Sequence, residues 1–365
     1  MQATGMWVLL HISSAPAWAT ETLGLPLAYA SIFPAIAGGT AALGSAFSAK
    51  CIARLGTHQS LLLCLLTLLL GLVLQSAGSL YLALAGSGIA GFAYALTNPV
   101  ASALLAEVRS KRTHLVFSIK QSGVPLGAGL AVLSGPLADT FTLLWMAIPS
   151  SVLVLLLVSR PSLHLTPQFD QKAGLIGVWR DAEVSRLLMM AMCFGAVQMI
   201  VLGSFPSLLE TGYISAVGAS IALALGNSMG LFGRIFWGGL ADRLHSGPLI
   251  LTLIGFTSAL LILTLLYLPG LALGVFALTG FVAIGWNGVF LAAIRLSQHQ
   301  AASTATASAM TYLFASGLIG QMIFAIFLDQ SGPKAALVAA ATIAVIGGLF
   351  GLNLMRYQRF KKNDC

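Results

Sequence analysis

Apolar residues in this chain gather into long runs divided by short polar clusters. Spanning helices are predicted at 2–19, 26–51, 58–78, 80–106, 114–137, 140–160, 187–208, 215–241, 247–268, 270–295, 301–328 and 333–355. A helix crosses the hydrocarbon core with about 20 apolar residues. Barrel strands need only about 10, in alternation, so these runs are too long for them. One polar stretch, Arg160 to Arg186, breaks the series with Pro161, Pro167, Asp170, Lys172, Arg180, Asp181 and Glu183. It predicts a linker between two six-helix halves. The expected organisation is a first half at 1–160, a cytoplasmic linker at 161–186, a second half at 187–355 and a cytoplasmic tail at 356–365.

Composition turns that pattern into a class. Of the 365 residues, 58% are hydrophobic and 8% charged, with a mean hydropathy of +0.94. A soluble domain carries roughly a quarter charged residues and could not cover its surface with so few. The chain is read as an all-α polytopic membrane protein. The net charge of +8 does not point to nucleic acid, because Lys and Arg are scattered between apolar runs. With both termini cytoplasmic, one side collects Lys50, Arg54, Arg109, Lys111, Arg112, Arg160, Lys172, Arg180, Arg186, Arg243, Arg295, Arg356, Arg359, Lys361 and Lys362. The other side keeps Lys334 alone, as the positive-inside rule requires. Cys51, Cys64, Cys193 and Cys365 are too widely spaced for a metal site.

The first run is the weakest. His11, Ser13, Ser14 and Pro16 interrupt it, and Ala17-Trp18-Ala19 resembles a leader cleavage site. Its start holds no Lys or Arg, and an internal repeat assigns it a partner. It is therefore expected to be a true first helix, short or clipped.

That repeat has an offset of 189 residues. Glu21 falls on Glu210, Gly44 on Gly233, Arg54 on Arg243, Leu55 on Leu244, Gly91-Phe92 on Gly280-Phe281, and Asn98 on Asn287. One residue further, Ser118 falls on Ser308, Gly127 on Gly317 and Asp139 on Asp329. Matches of Glu, Arg, Asn and Asp carry weight because those types are rare here. Six spans separate equivalent positions, so the halves run parallel, an arrangement that places a pathway at their interface.

With these features the chain resembles the major facilitator superfamily. Gly238-Gly239-Leu240-Ala241-Asp242-Arg243 is similar to the first part of the superfamily's loop motif, which follows helices two and eight. The later Gly and basic pair are missing, since Leu244-His245-Ser246 follows. The first-half copy, Ala53-Arg54-Leu55-Gly56, keeps the Arg and Gly but has Ala53 for the Asp. The resemblance implies two six-helix bundles and gives Gly238, Asp242, Arg243 and Arg54 a gating role. The alternative for Asp242 and Arg243 is a solvated turn. Gly123, Pro125, Gly127 and Gly129 partly resemble the superfamily's glycine-proline motif of helix five, a weak pointer to export.

An ionisable residue inside a span is a functional candidate by default. Lys120 is the clearest; its repeat partner is Met310. It either meets a substrate carboxylate or snorkels to the membrane edge. Gln121 adds donors and an acceptor beside it. Arg234, eight residues before Asp242 on much the same face, reads as structural and close to the gate. The resemblance implies that spans one, four, seven and ten line the cavity, which favours His11, Asn98, Gln198, Trp286 and Asn287 over Asn227 and Gln321. Interhelical hydrogen bonding is the plainer role for each Asn or Gln.

No Asp or Glu falls deep in any span, so a coupled proton would need His11 or the Lys120 site. The leading reading is a secondary or facilitative transporter of a small organic solute, with an organic anion as candidate. Its partners would be the solute, the lipid bilayer and, if coupled, a proton; no nucleic acid and no cofactor are expected. The alternatives are an exporter of apolar or cationic compounds, and a membrane sensor or scaffold without transport. An enzyme is the poorest reading, since no nucleophile–base pair, nucleotide loop or metal-ligand cluster stands out. A bacterial inner membrane is the expected location.

Overall fold

The computed structural model describes residues 1–24, 32–106, 110–134, 140–159, 170, 174–204, 216–298 and 302–363. Part of the expected linker, with Glu107, Arg109, Asp139, Lys172 and Glu210, lies outside the described residues. Within them the chain is almost wholly helical and holds no strand. The helices are α1 (Gln2–Ser14), α2 (Pro16–Leu23), α3 (Ile32–Gln75), α4 (Leu80–Tyr94), α5 (Thr97–Ala106), α6 (Thr113–Gln121) and α7 (Gly123–Ser134). They continue with α8 (Thr140–Val158), α9 (Ala182–Met199), α10 (Ala216–Arg243), α11 (Gly247–Tyr267), α12 (Ala272–Ala283), α13 (Asn287–Ser297) and α14 (Ala302–Asn363).

Among the described residues, 7 helical rods are long and apolar enough to cross a membrane. Two of them, α3 and α14, are each a pair of helices joined at a glycine with positive φ: Gly56 at 78° and Gly332 at 82°. Glycine has no Cβ to clash in that conformation. Counting those rods as pairs, and adding α1–α2, α8 and α10, gives the twelve spans that the apolar runs predict. His245 falls on Gly56 in the repeat and also holds a positive φ, 50°, between α10 and α11.

Helix packing divides the chain into two compact units. Unit 1 holds Met1–Val108, Gly123–Leu175 and His299–Phe314; unit 2 holds Arg109–Ser122, Ile176–Gln298 and Ala315–Cys365. In unit 1, Val8, Leu9 and Ile12 of α1 join Phe33, Leu68, Leu72 and Tyr94 in one buried core. In unit 2, Val197, Ile200, Ile262, Phe276, Phe324 and Leu337 belong to the corresponding core. The repeat-matched glycines lie at matching helix crossings. Gly44 of α3 meets Phe92 of α4, and Gly233 of α10 meets the Phe281 carbonyl of α12. Likewise Gly91 meets Ala37, and Gly280 meets Gly226. Small residues at such points let two backbones touch, the usual means of joining helices in lipid.

Three runs that read as continuous spans are broken. The break between α4 and α5 falls at Ala95–Leu96, and that between α12 and α13 at residues 284–286, its repeat equivalent. A third, at Ser122, parts α6 from α7. Pro99 and Pro125 lie in the first turns of α5 and α7, where a missing N–H costs no helical bond. The breaks concentrate polar backbone where Asn98, Gln121 and Asn287 stand.

Candidate functional site

In unit 2 a short helix is clamped at both ends by one face of a longer one. The α6 helix has no side-chain cap of its own at Arg112. Its first amides are met instead by Asp242, at the end of α10. The His114 N–H donates to Asp242 Oδ1 at 3.0 Å and the Leu115 N–H to Oδ2 at 2.8 Å. Asp242 Oδ1 also lies 2.9 Å from His114 Nδ1. At the other end, the buried Arg234 guanidinium donates to the Gln121 carbonyl, and through Nε to the Ile284 carbonyl at 3.0 Å. A carboxylate thus sits at the positive end of the helix and a guanidinium at the negative end, both favourable to its macrodipole. Between them Gly238 leaves room for Ser118 of α6, and Gly288 of α13 approaches the Ser118 backbone from another side.

The α6 C-terminus opens onto a polar centre at the α12–α13 break. The Lys120 ammonium donates to Gln121 Oε1 at 3.2 Å, and Gln121 Nε2 donates to Asn287 Oδ1 at 3.0 Å. Beside Asn287, the Trp286 indole N–H donates to Gln198 Oε1 at 3.0 Å. The Trp286 ring is fully buried and packs on Phe194 and Phe290, with centroids 5.6 and 5.5 Å away. Lys120 and Arg234 thus both bond to Gln121, one through its side chain and the other through its carbonyl. Lys120, Gln121, Gln198, Trp286, Asn287 and Arg234 are therefore assembled in one unit.

Unit 1 holds a related but different centre. Gln2 Nε2 donates to Asn98 Oδ1 at 2.6 Å, the same amide pairing that Gln121 makes with Asn287. Here Asn98 Nδ2 then meets Met310 Sδ at 3.2 Å. His11 is fully buried beside Trp18, and neither ring nitrogen has a partner among the described residues.

The remaining candidates take no part in the hydrogen bonds of these centres among the described residues. Arg54 and Arg243 are exposed, so the base that Asp242 meets is His114 and not its neighbour Arg243. Asn227 Nδ2 donates to Leu223 O on its own helix, and Gln321 Nε2 to Met199 O; both bonds satisfy helix carbonyls. Gln2 and His114 are residues that the sequence reading passed over, and it named Met310 only as the repeat partner of Lys120. His114 and Gln2 each open an apolar run, a place where polar types read as mere flanks. Met310 carries no polar signal, and only its alignment with Lys120 could have raised it.

A family model described as Major Facilitator Superfamily matches residues 2–320. Solved structures agree in fold. A fucose:proton symporter from E. coli, FucP, superposes with a TM-score of 0.75 at 12% identity, covering 97% of this chain and 97% of that one. The human organic anion transporter MFSD10 gives 0.72 at 14%, over 96% and 98% of the two chains. A bacterial homologue of the iron transporter ferroportin gives 0.68 at 14%, over 97% and 98%. No curated protein sequence matches the chain.

Proposed function

Because this chain belongs to the major facilitator superfamily, we propose that it is a secondary transporter of a small organic anion. Alternating access of the two six-helix halves, 1–160 and 187–355, moves the solute past a site at the broken helices. One observation carries the anion: Lys120 Nζ donates to the Gln121 side chain and the Arg234 guanidinium to the Gln121 carbonyl, so two basic side chains converge on one residue at the α6 C-terminus. Two cations in a low-dielectric setting repel, and a carboxylate beside them relieves that cost. Half-helix ends and unwound backbone are where such carriers hold their substrates.

In this reading Lys120 meets the carboxylate, while Gln121, Asn287, Gln198 and Trp286 orient it. Asn98 and His11 are further substrate candidates, in unit 1. Gly238, Asp242 and Arg243 carry the gating role in unit 2 and Arg54 in unit 1, each at the cytoplasmic face. A proton coupled to transport would use His11 or Lys120. The membrane is a bacterial inner membrane, with both termini cytoplasmic. MFSD10 and FucP, an organic anion transporter and a proton symporter, support the substrate class and the coupling by likeness alone.

The test is thermal stabilisation of purified protein by organic anions, neutral sugars and apolar cations, on wild type and Lys120→Ala. A ligand that binds only the folded state raises its melting temperature. Organic anions are expected to stabilise the wild type and not the variant. Equal stabilisation of both by apolar cations would replace this reading with export.

A further inference from the structure

Resting on the anion reading, we infer that Trp286 and Lys120 set the direction of the amides around the α12–α13 break, so that Gln198 and Asn287 both present N–H donors to the substrate carboxylate. An amide side chain can offer either its oxygen or its nitrogen; the partner decides which. An indole N–H and an ammonium can only donate. Trp286 donates to Gln198 Oε1, which commits that oxygen and leaves Nε2 as the end Gln198 has to offer. Lys120 donates to Gln121 Oε1, so Gln121 must use its nitrogen toward Asn287. Asn287 Oδ1 is then committed as well, and Nδ2 is the end it has to offer. Gln198 and Asn287 keep 8% and 7% of their surface open, whereas Gln121 keeps 1%. Trp286 and Asn287 are consecutive residues, so one peptide ties the two amides together.

Unit 1 supplies the contrast. Asn98 receives an amide from Gln2 in the same way, but gives its own nitrogen to Met310 at the position matching Lys120. The same pairing is closed by a thioether in one unit and presents a donor in the other. A donor array suits a carboxylate and penalises a neutral carboxamide far less than it penalises a cation. Trp286 is thus a positioning residue that acts through Gln198, and Gln198 is a specificity residue.

The experiment measures affinity for carboxylates of two to eight carbons, each beside its own carboxamide, by thermal shift on the purified full chain. Trp286→Phe keeps the ring and removes the N–H, freeing Gln198 to turn. Carboxylate affinity is expected to fall about tenfold to a hundredfold, the range for a bond to a charged group, with the preference over the carboxamide collapsing. Gln198→Glu still accepts from Trp286 and is expected to reverse the preference. The double variant Trp286→Phe/Gln198→Leu leaves no orphaned group at this pair and should bind carboxylates about tenfold to a hundredfold more weakly than the wild type, a readout that stands if Trp286→Phe alone folds poorly. Loss of both ligand types in equal proportion would make Trp286 a packing residue and overturn this inference, while sensitivity of the same carboxylates to Lys120→Ala would keep the anion reading. A wild type that no carboxylate stabilises would overturn both.

Discussion

Arg234, Gly238 and Asp242 recur at four-residue intervals, which puts all three on one face of α10. Eight residues of helical rise span about 12 Å, nearly the length of α6, so a single face can reach both of its ends. Asp242→Asn keeps an acceptor oxygen but loses the charge at the α6 N-terminus. It should lower stability by about 1 kcal/mol, and Asp242→Ala by about 2, read as melting temperature in detergent. His245 invites the opposite change. Its φ of 50° strains an L side chain, and its repeat partner is Gly56. His245→Gly is expected to stabilise the protein by about 0.5–1 kcal/mol in the same assay. At this scale the sequence was readable for charge and type but not for partnership. Asp242 was visible as a gate residue, yet nothing local showed that it would meet two amides of one helix end 127 and 128 residues away.

Among the elements, α6 shows how a short helix is placed by its neighbours. Nine residues are too few to be stable by propensity alone. Its position rests on Gly238 and Gly288, which bring α10 and α13 against Ser118. Gly239, next in line, has open space around its Cβ position. Gly239→Ala should therefore be neutral or mildly stabilising, since Ala favours helix by up to about 1 kcal/mol. Gly288→Ala meets backbone and should destabilise clearly, with transport lost alongside. Melting temperatures and vesicle uptake of the two variants would separate them, and equal behaviour would argue against the clamp. The broken helices were not legible as breaks. Pro99, Pro125 and the Gly285-Trp286-Asn287-Gly288 segment sit inside apolar runs, and the tertiary setting decided where each helix stopped.

For the whole molecule, orientation is the next quantity to settle by experiment. In a chain with Cys51, Cys64, Cys193 and Cys365 replaced by Ser, single cysteines at the exposed positions Lys334 and Arg356 would report the two faces. An impermeant maleimide applied from outside should label Lys334→Cys and spare Arg356→Cys until the membrane is opened. The reverse pattern would invert the topology drawn from the positive-inside bias. The internal repeat also has a molecular-scale consequence. Lys120 and Met310 occupy matched places, so charge enters one centre and a thioether the other, and the pseudo-symmetric frame is made chemically one-sided.

The residues alone determined the class, the number of spans, the parallel repeat and the scarcity of intramembrane charge. These follow from hydrophobic pattern, and that pattern records what solvent each stretch must face, a property of the stretch itself. Only the tertiary structure decided that Asp242 and Arg234 hold opposite ends of α6. It alone decided that Gln121 meets Asn287, and that Trp286 turns Gln198. A hydrogen bond depends on two groups meeting at about 3 Å in a fixed direction. Residues that are far apart in the chain meet so only once the helices have packed.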